Sequence, residues 1–242
     1  MATDEGRIEK TLVSILDNGS RLQGPAVDKY VWRIRRAHPD ESPAQIIERM
    51  EKTFLTAVTG SGGAAGATAA VPGVGTVASV AAVGAETAFF VEASALLTLA
   101  VASVHGIPVH DQEQRKALVL AVALGETGRE IVQKTLGTKS GNIGKLITGK
   151  IPGAGGLSGL NKRLIKKFIT KYAARRGALF LGTMLPAGIG AVVGGAGNRS
   201  LGKGVVKNAR ETFGPPPTTW ATAPGVIDDR STDPTGTTEL EA

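Results

Sequence analysis

The chain contains no cysteine, which excludes disulfides and thiolate metal sites. Aromatic residues are only 4% of it, so large rings cannot dominate its core. Histidine occurs three times in 242 residues, leaving little material for a metal or acid–base site. Acidic residues vanish between Glu130 and Glu211, an interval that holds 15 of the 28 Lys and Arg. Two long stretches are nearly or wholly without charge. Phe54 to Ile107 has two carboxylates, Glu86 and Glu92, and no cation; Gly177 to Asn198 has neither sign. From Thr56 to Ala85 there is no Leu, Ile or Phe, and six Val supply the only bulk.

What fills these gaps is glycine, 33 residues of it, with Ala, Ser and Thr. Helices built from such residues approach one another closely. Gly62 and Gly66 form a GxxxG spacing, and Gly190 and Gly194 form another. The first pair is expected to pack against the greasier helix Phe89 to Val104. Pro72-Gly73 and Pro186 each interrupt an apolar stretch, and Pro72-Gly73-Val74-Gly75 echoes Pro186-Ala187-Gly188-Ile189-Gly190.

Periodicity predicts an all-α chain of about seven to nine helices, because 3.6-residue spacing recurs and strand alternation does not. Arg7 to Leu16 and Val27 to Ala37 are short amphipathic helices. Ser42 and Pro43 start another, with Ile46, Ile47, Met50 and Phe54 on one face. Asp111 to Thr135, Asn161 to Arg176 and Arg199 to Phe213 follow, and from Gly214 the Pro- and Thr-rich sequence predicts a disordered tail. The expected division is an N-terminal helical segment over 1–53, a helical domain with apolar hairpins over 54–213, and the tail over 214–242.

Chemical motifs fail on inspection. Gly73-Val74-Gly75-Thr76-Val77-Ala78 has the spacing of a dinucleotide turn but lacks the preceding strand. Lys139 stands where a phosphate loop ending at Gly144-Lys145 needs its first Gly, and Leu146 where it needs Ser or Thr. Pro108 separates His105 from His110 and Asp111, preventing the helical geometry of a zinc site. Gly156-Leu157-Ser158-Gly159-Leu160 lacks the last Gly of a nucleophile elbow. No catalysis, cofactor, metal or small-molecule substrate is therefore expected.

Glu86 and Glu92 lie six residues apart, about 240° around a helix, and so cannot be an acid–base dyad. Either they make polar contacts with Lys or Arg of the second half, or one meets solvent while the other pairs with a neighbouring helix. The latter is favoured, because isolated carboxylates find local partners.

The basic half calls for an anionic partner, a membrane surface or nucleic acid. On Asn161 to Arg176, Leu164, Ile165, Phe168, Ile169 and Tyr172 share one arc; Lys162, Arg163, Lys166, Lys167 and Lys171 share the other, and Arg175 and Arg176 follow. Few aromatic, Asn or Gln residues are interleaved to read bases. Continuation into an uncharged segment favours membrane over nucleic acid. Gly177 to Asn198 has about the ~20 residues a span requires. Arg175 and Arg176 before it and Arg199 and Lys203 after it place both flanks on the cytoplasmic side, as in a hairpin. Thr56 to Ala85 is also long enough to span, with marginal insertion energy. The opening MATDEGRIEK has no apolar signal region, so the expected location is the cytoplasmic membrane face, the alternative a soluble cytoplasmic bundle with a protein partner.

The segment PGVGTVASVAAVGAETAFFVEASALLTLAVASVHGIPVHD resembles the central signature of the EcsC family. LNKRLIKKFITKYAARRGALFLGTMLPAGIGAVVGGAGNRSLGKGVVKNARETFG is similar to that family's C-terminal half, with Asn198 after the Pro-Gly-Gly hairpin and Phe213 near the end. The resemblance runs from about Phe54 to Phe213. It implies a bacterial, helical, membrane-associated protein without an agreed activity and with no catalytic residues to carry over; the role expected of this chain is accessory to a membrane transport or envelope process.

Overall fold

The computed structural model describes residues 26–69, 76–107, 111–137, 156–183 and 189–220, together with Ser14 and Ile147. The expected helix at residues 7–16 lies outside them. All regular structure among the described residues is helical: α1 (26–37), α2 (Pro43–Ala69), α3 (Thr76–Val104), α4 (Gln112–Leu124), α5 (Glu126–Leu136), α6 (Gly156–Thr183) and α7 (Ile189–Phe213).

Local chemistry explains the boundaries. Ahead of α2, the Ser42 N–H donates to Gln45 Oε1 at 2.8 Å, and the Gln45 N–H reaches Ser42 Oγ at 3.4 Å. This reciprocal box satisfies two otherwise orphaned donors, and Pro43 at the first helical position needs no partner for its nitrogen. Asp111 caps α4 by accepting from the Gln114 N–H at 3.0 Å. At the end of α3, the Ile107 N–H bonds Ala102 O and the Gly106 N–H bonds Ser103 O, while the Ile107 side chain is buried.

The stretch expected as one helix from Asp111 to Thr135 is two. Gly125, at φ 64° and ψ −130°, ends α4 and begins α5. That backbone conformation is nearly closed to other residues, and a Cβ there would strike the Asn208 side chain as well. The other revisions are extensions. The expected helix Asn161 to Arg176 runs through α6 from Gly156 to Thr183. The expected helix Arg199 to Phe213 begins ten residues earlier, at Ile189. Gly177 to Asn198, expected as a hairpin and not a single crossing, is divided between the end of α6 and the start of α7. Thr56 to Ala85, expected as two arms, is divided between α2 and α3. The expected boundary at residue 53 falls inside α2. Within residues 214–220, expected as tail, Trp220 packs on the core and the Arg35 guanidinium sits 3.9 Å from its ring centroid.

α4 sits in the middle. Ala117 to Val122 are six consecutive buried residues, so this helix is covered on every side. Around it are Phe90, Leu97 and Val101 of α3, Leu160, Leu164 and Phe168 of α6, and Val205, Ala209 and Phe213 of α7. Phe54 meets Phe90 with ring centroids 6.3 Å apart, which pairs α2 with α3 as a hairpin.

The tightest contact joins α2 to α7. Gly62 and Gly66 do not face Phe89 to Val104, as expected; they face Gly194 and Gly190. A Cβ on Gly66 would overlap the Gly190 carbonyl, and one on Gly62 would come within 2.5 Å of the Gly194 carbonyl oxygen. The two helices are antiparallel, since Gly66 meets Gly190, Gly62 meets Gly194 and Glu51 meets Arg210. Each supplies a row at four-residue intervals, Val58-Gly62-Gly66 against Gly190-Gly194-Asn198-Gly202, so ridge settles into groove.

Substituting Gly66→Ala is expected to destabilise by about 2 kcal/mol or more, because the added methyl meets backbone that cannot swing away. Gly60, with open space where its Cβ would be, serves as the contrast: Gly60→Ala is expected to stabilise by about 0.5–1 kcal/mol. Urea unfolding of the two variants beside the parent measures both.

Candidate functional site

The site is built on α6. Leu160, Leu164 and Phe168 are buried, and Leu157 and Ile165 lie half-buried on the core. The helix is rotationally fixed near its start by Asn161, whose amide donates to the Glu113 carbonyl at 3.0 Å and to its carboxylate at 2.8 Å. With that face committed to the core, Lys162, Arg163, Lys166 and Lys167 all stand exposed. Lys171 departs from the set. It is half-buried and donates to the Leu124 carbonyl at 3.0 Å, at the negative end of α4. Arg175 and Arg176 belong to α6, but their side chains lie outside the described residues.

The cations of the second half fall into two groups. Arg210 makes a two-pronged bond to Glu51, including Nε to Oε1 at 2.8 Å, and Glu51 is buried. That carboxylate raises the Arg210 guanidinium above its ordinary range, chiefly through the hydrogen bond. Lys207 lies 3.7 Å from Glu211, to which Arg129 of α5 donates at 2.7 Å. In contrast, Lys162, Arg163, Lys166, Lys167, Arg199 and Lys203 have no carboxylate at ion-pair distance among the described residues. Exposed cations without local anions project a positive field outward.

A second feature is buried. The Asn198 side-chain amide on α7 donates to the Val58 carbonyl of α2 at 3.0 Å and to Glu86 Oε1 of α3. Asn198 and Glu86 are both buried, at 2% and 7% exposure. Glu92 is exposed. One polar node thus ties three helices at the level of the glycine contact. The amide can reach the Val58 carbonyl because Gly62 offers no side chain in its way.

Two remaining features are smaller. Phe90, Phe168, Leu201 and Val205 line an apolar pocket of about 60 Å³ between α3, α4, α6 and α7, with Lys171 and Asn208 in its wall. That is room for a few water-sized groups, far below a typical ligand cleft. His105 stacks on Phe213 with centroids 5.5 Å apart, and burial pushes its imidazole below the ordinary histidine range. Among the described residues no three His, Asp or Glu gather as metal ligands.

No family model matches the chain, and neither curated proteins nor solved structures give a significant match.

A double-mutant cycle with Asn198→Ala and Glu86→Ala should return a coupling energy above ~0.5 kcal/mol, since the two groups share one buried hydrogen bond. A coupling near zero in urea unfolding would separate them. The His105 ring predicts a pH dependence of stability. The folded protein holds it neutral, while the unfolded chain takes up a proton near pH ~6.5. Its contribution is therefore complete above that value and lost as pH falls toward the depressed folded value. Urea midpoints should decline across this window, and the decline should be shallower in His105→Phe, which keeps the ring stack.

Proposed function

We propose that the protein is a non-catalytic helical protein of the EcsC type, attached to the anionic cytoplasmic face of a membrane and accessory to a transport or envelope process there. The observation that carries this reading is the outward face of α6, where Lys162, Arg163, Lys166 and Lys167 are exposed together while Leu160, Leu164 and Phe168 of the same helix are spent on the core. Such a face attracts lipid phosphates without inserting its own apolar residues. Arg199 and Lys203 on α7 add to the same sign.

A soluble α-helical interaction module is the second reading. One helix among the described residues is long and apolar enough to cross a membrane, Gly84–Val104, and 61% of it is buried inside the bundle. A core helix meets the same criterion of length and composition.

Sedimentation with vesicles separates the two. Binding is expected with vesicles containing phosphatidylglycerol and to weaken as salt rises, while neutral phosphatidylcholine vesicles bind far less. Each cation near such a surface is worth about 1 kcal/mol, so replacing all four by Gln should lower affinity at least ~10-fold. Protein that stays in the supernatant with both lipids supports the soluble module. Duplex DNA added as competitor tests whether phosphate of another source takes the same face.

A further inference from the structure

The end of α2, the start of α3, the end of α6 and the start of α7 lie at one end of the bundle. Phe54 opposite Phe90 and Val58 level with Glu86 set the end of α2 beside the start of α3. The Gly66–Gly190 contact sets the start of α7 beside the end of α2. The sequence of both hairpins is without charge there, from 53 to 85 and from 177 to 198.

The exposed residues change character at one level along the bundle. Before it, the solvent-facing positions include Glu48 and Lys52 on α2, Glu92 on α3, and Arg199 and Lys203 on α7. Beyond it they include Ala57, Gly60, Ala64 and Ala67 on α2, Gly84 and Ala85 on α3, and Val192 and Ala196 on α7, with Val192 72% exposed. A water-facing helix normally carries charge on such positions. The Asn198–Glu86 node lies at the border and ties three helices there. From that border, α7 runs ten residues back to Ile189 and α3 eleven back to Thr76. At 1.5 Å per residue each is about 15 Å. One leaflet of a hydrocarbon core, half of ~30 Å, has the same depth.

We propose that this charge-free end enters a single leaflet of a membrane, with Arg199 and Lys203 at the headgroups beside the border. The proposal rests on the membrane reading above and adds a mode of attachment to it. Charge complementarity selects lipid over a second copy of the chain as the occupant: on the α7 side, where Val192 is exposed, the border carries Arg199 and Lys203, which match anionic headgroups, while Glu92 stands on α3.

The native chain lacks cysteine, so single-cysteine variants of the full chain can each carry one environment-sensitive nitrobenzoxadiazole label. Ala64→Cys and Val192→Cys report the charge-free end; Glu48→Cys and Lys207→Cys report the charged one. With phosphatidylglycerol-containing vesicles, the labels at 64 and 192 should shift to the blue and be quenched by nitroxide on the lipid acyl chains. Those at 48 and 207 should stay in water. Vesicle-bound protein with all four labels in water overturns insertion and leaves surface attachment standing. Absence of binding in sedimentation overturns both. A label at 64 or 192 that shifts with protein concentration, without lipid and as strongly as with it, assigns the surface to a second copy and overturns the proposal. The double variant Ala64→Glu/Val192→Glu changes exposed positions only, so its circular-dichroism spectrum should match the parent. Its vesicle affinity should fall at least tenfold, and unchanged affinity overturns the proposal.

Discussion

Two helix backbones touch where Gly62 and Gly66 meet Gly194 and Gly190, and the arrangement of the other helices depends on that contact. Such a contact draws its stability from many weak dispersion contacts between close surfaces, not from one large side chain. It also brings carbonyl groups of one helix within reach of the short side chains of the other. Asn198 exploits this: its amide spans from the α2 backbone to the carboxylate of Glu86 on α3. A wider spacing would part the Asn198 amide from the Val58 carbonyl inside an apolar interior, at a cost of the order of 1–3 kcal/mol for each group left unsatisfied. The small-residue composition and the buried polar node are therefore one device.

The charge asymmetry of the sequence resolves into two uses. Arg210 and Arg129 form bonds to Glu51 and Glu211 that join distant parts of the chain, with Glu51 and Arg210 separated by 159 residues. These contacts fasten α7 to α2 and α5 near the ends of the helices. The cations on the outside of α6 make no such bonds among the described residues and leave their field to the solvent. Asn161, locked to Glu113, keeps α6 from rotating that field inward.

Much of the fold was legible along the chain. Ser42 with Pro43 marked the start of α2, because that signal acts through local backbone chemistry, while Pro72 and Pro186, read as interruptions, lie outside the described residues. The outward face of α6 was legible because large apolar and cationic residues alternate with a helical period. The break at Gly125 was not, since a lone glycine inside a periodic run is tolerated in many helices. The start of α7 was missed because Gly, Ala and Val carry little amphipathic contrast. The partner of Gly62 and Gly66 was misjudged for another reason. Two GxxxG spacings were visible, but adjacency in sequence pointed to α3, while the true partner lies some 130 residues away. Asn198 belongs to the same class. Its bond to Glu86 joins residues 112 apart, and no local pattern couples them.

The placement of Trp220 has a topological consequence. α1 precedes the start of α2, α7 finishes at Phe213 beside His105, and Arg35 clasps the ring of Trp220. The clasp closes the described chain on itself, 185 residues after Arg35, through side chains that take no part in the glycine contact between α2 and α7.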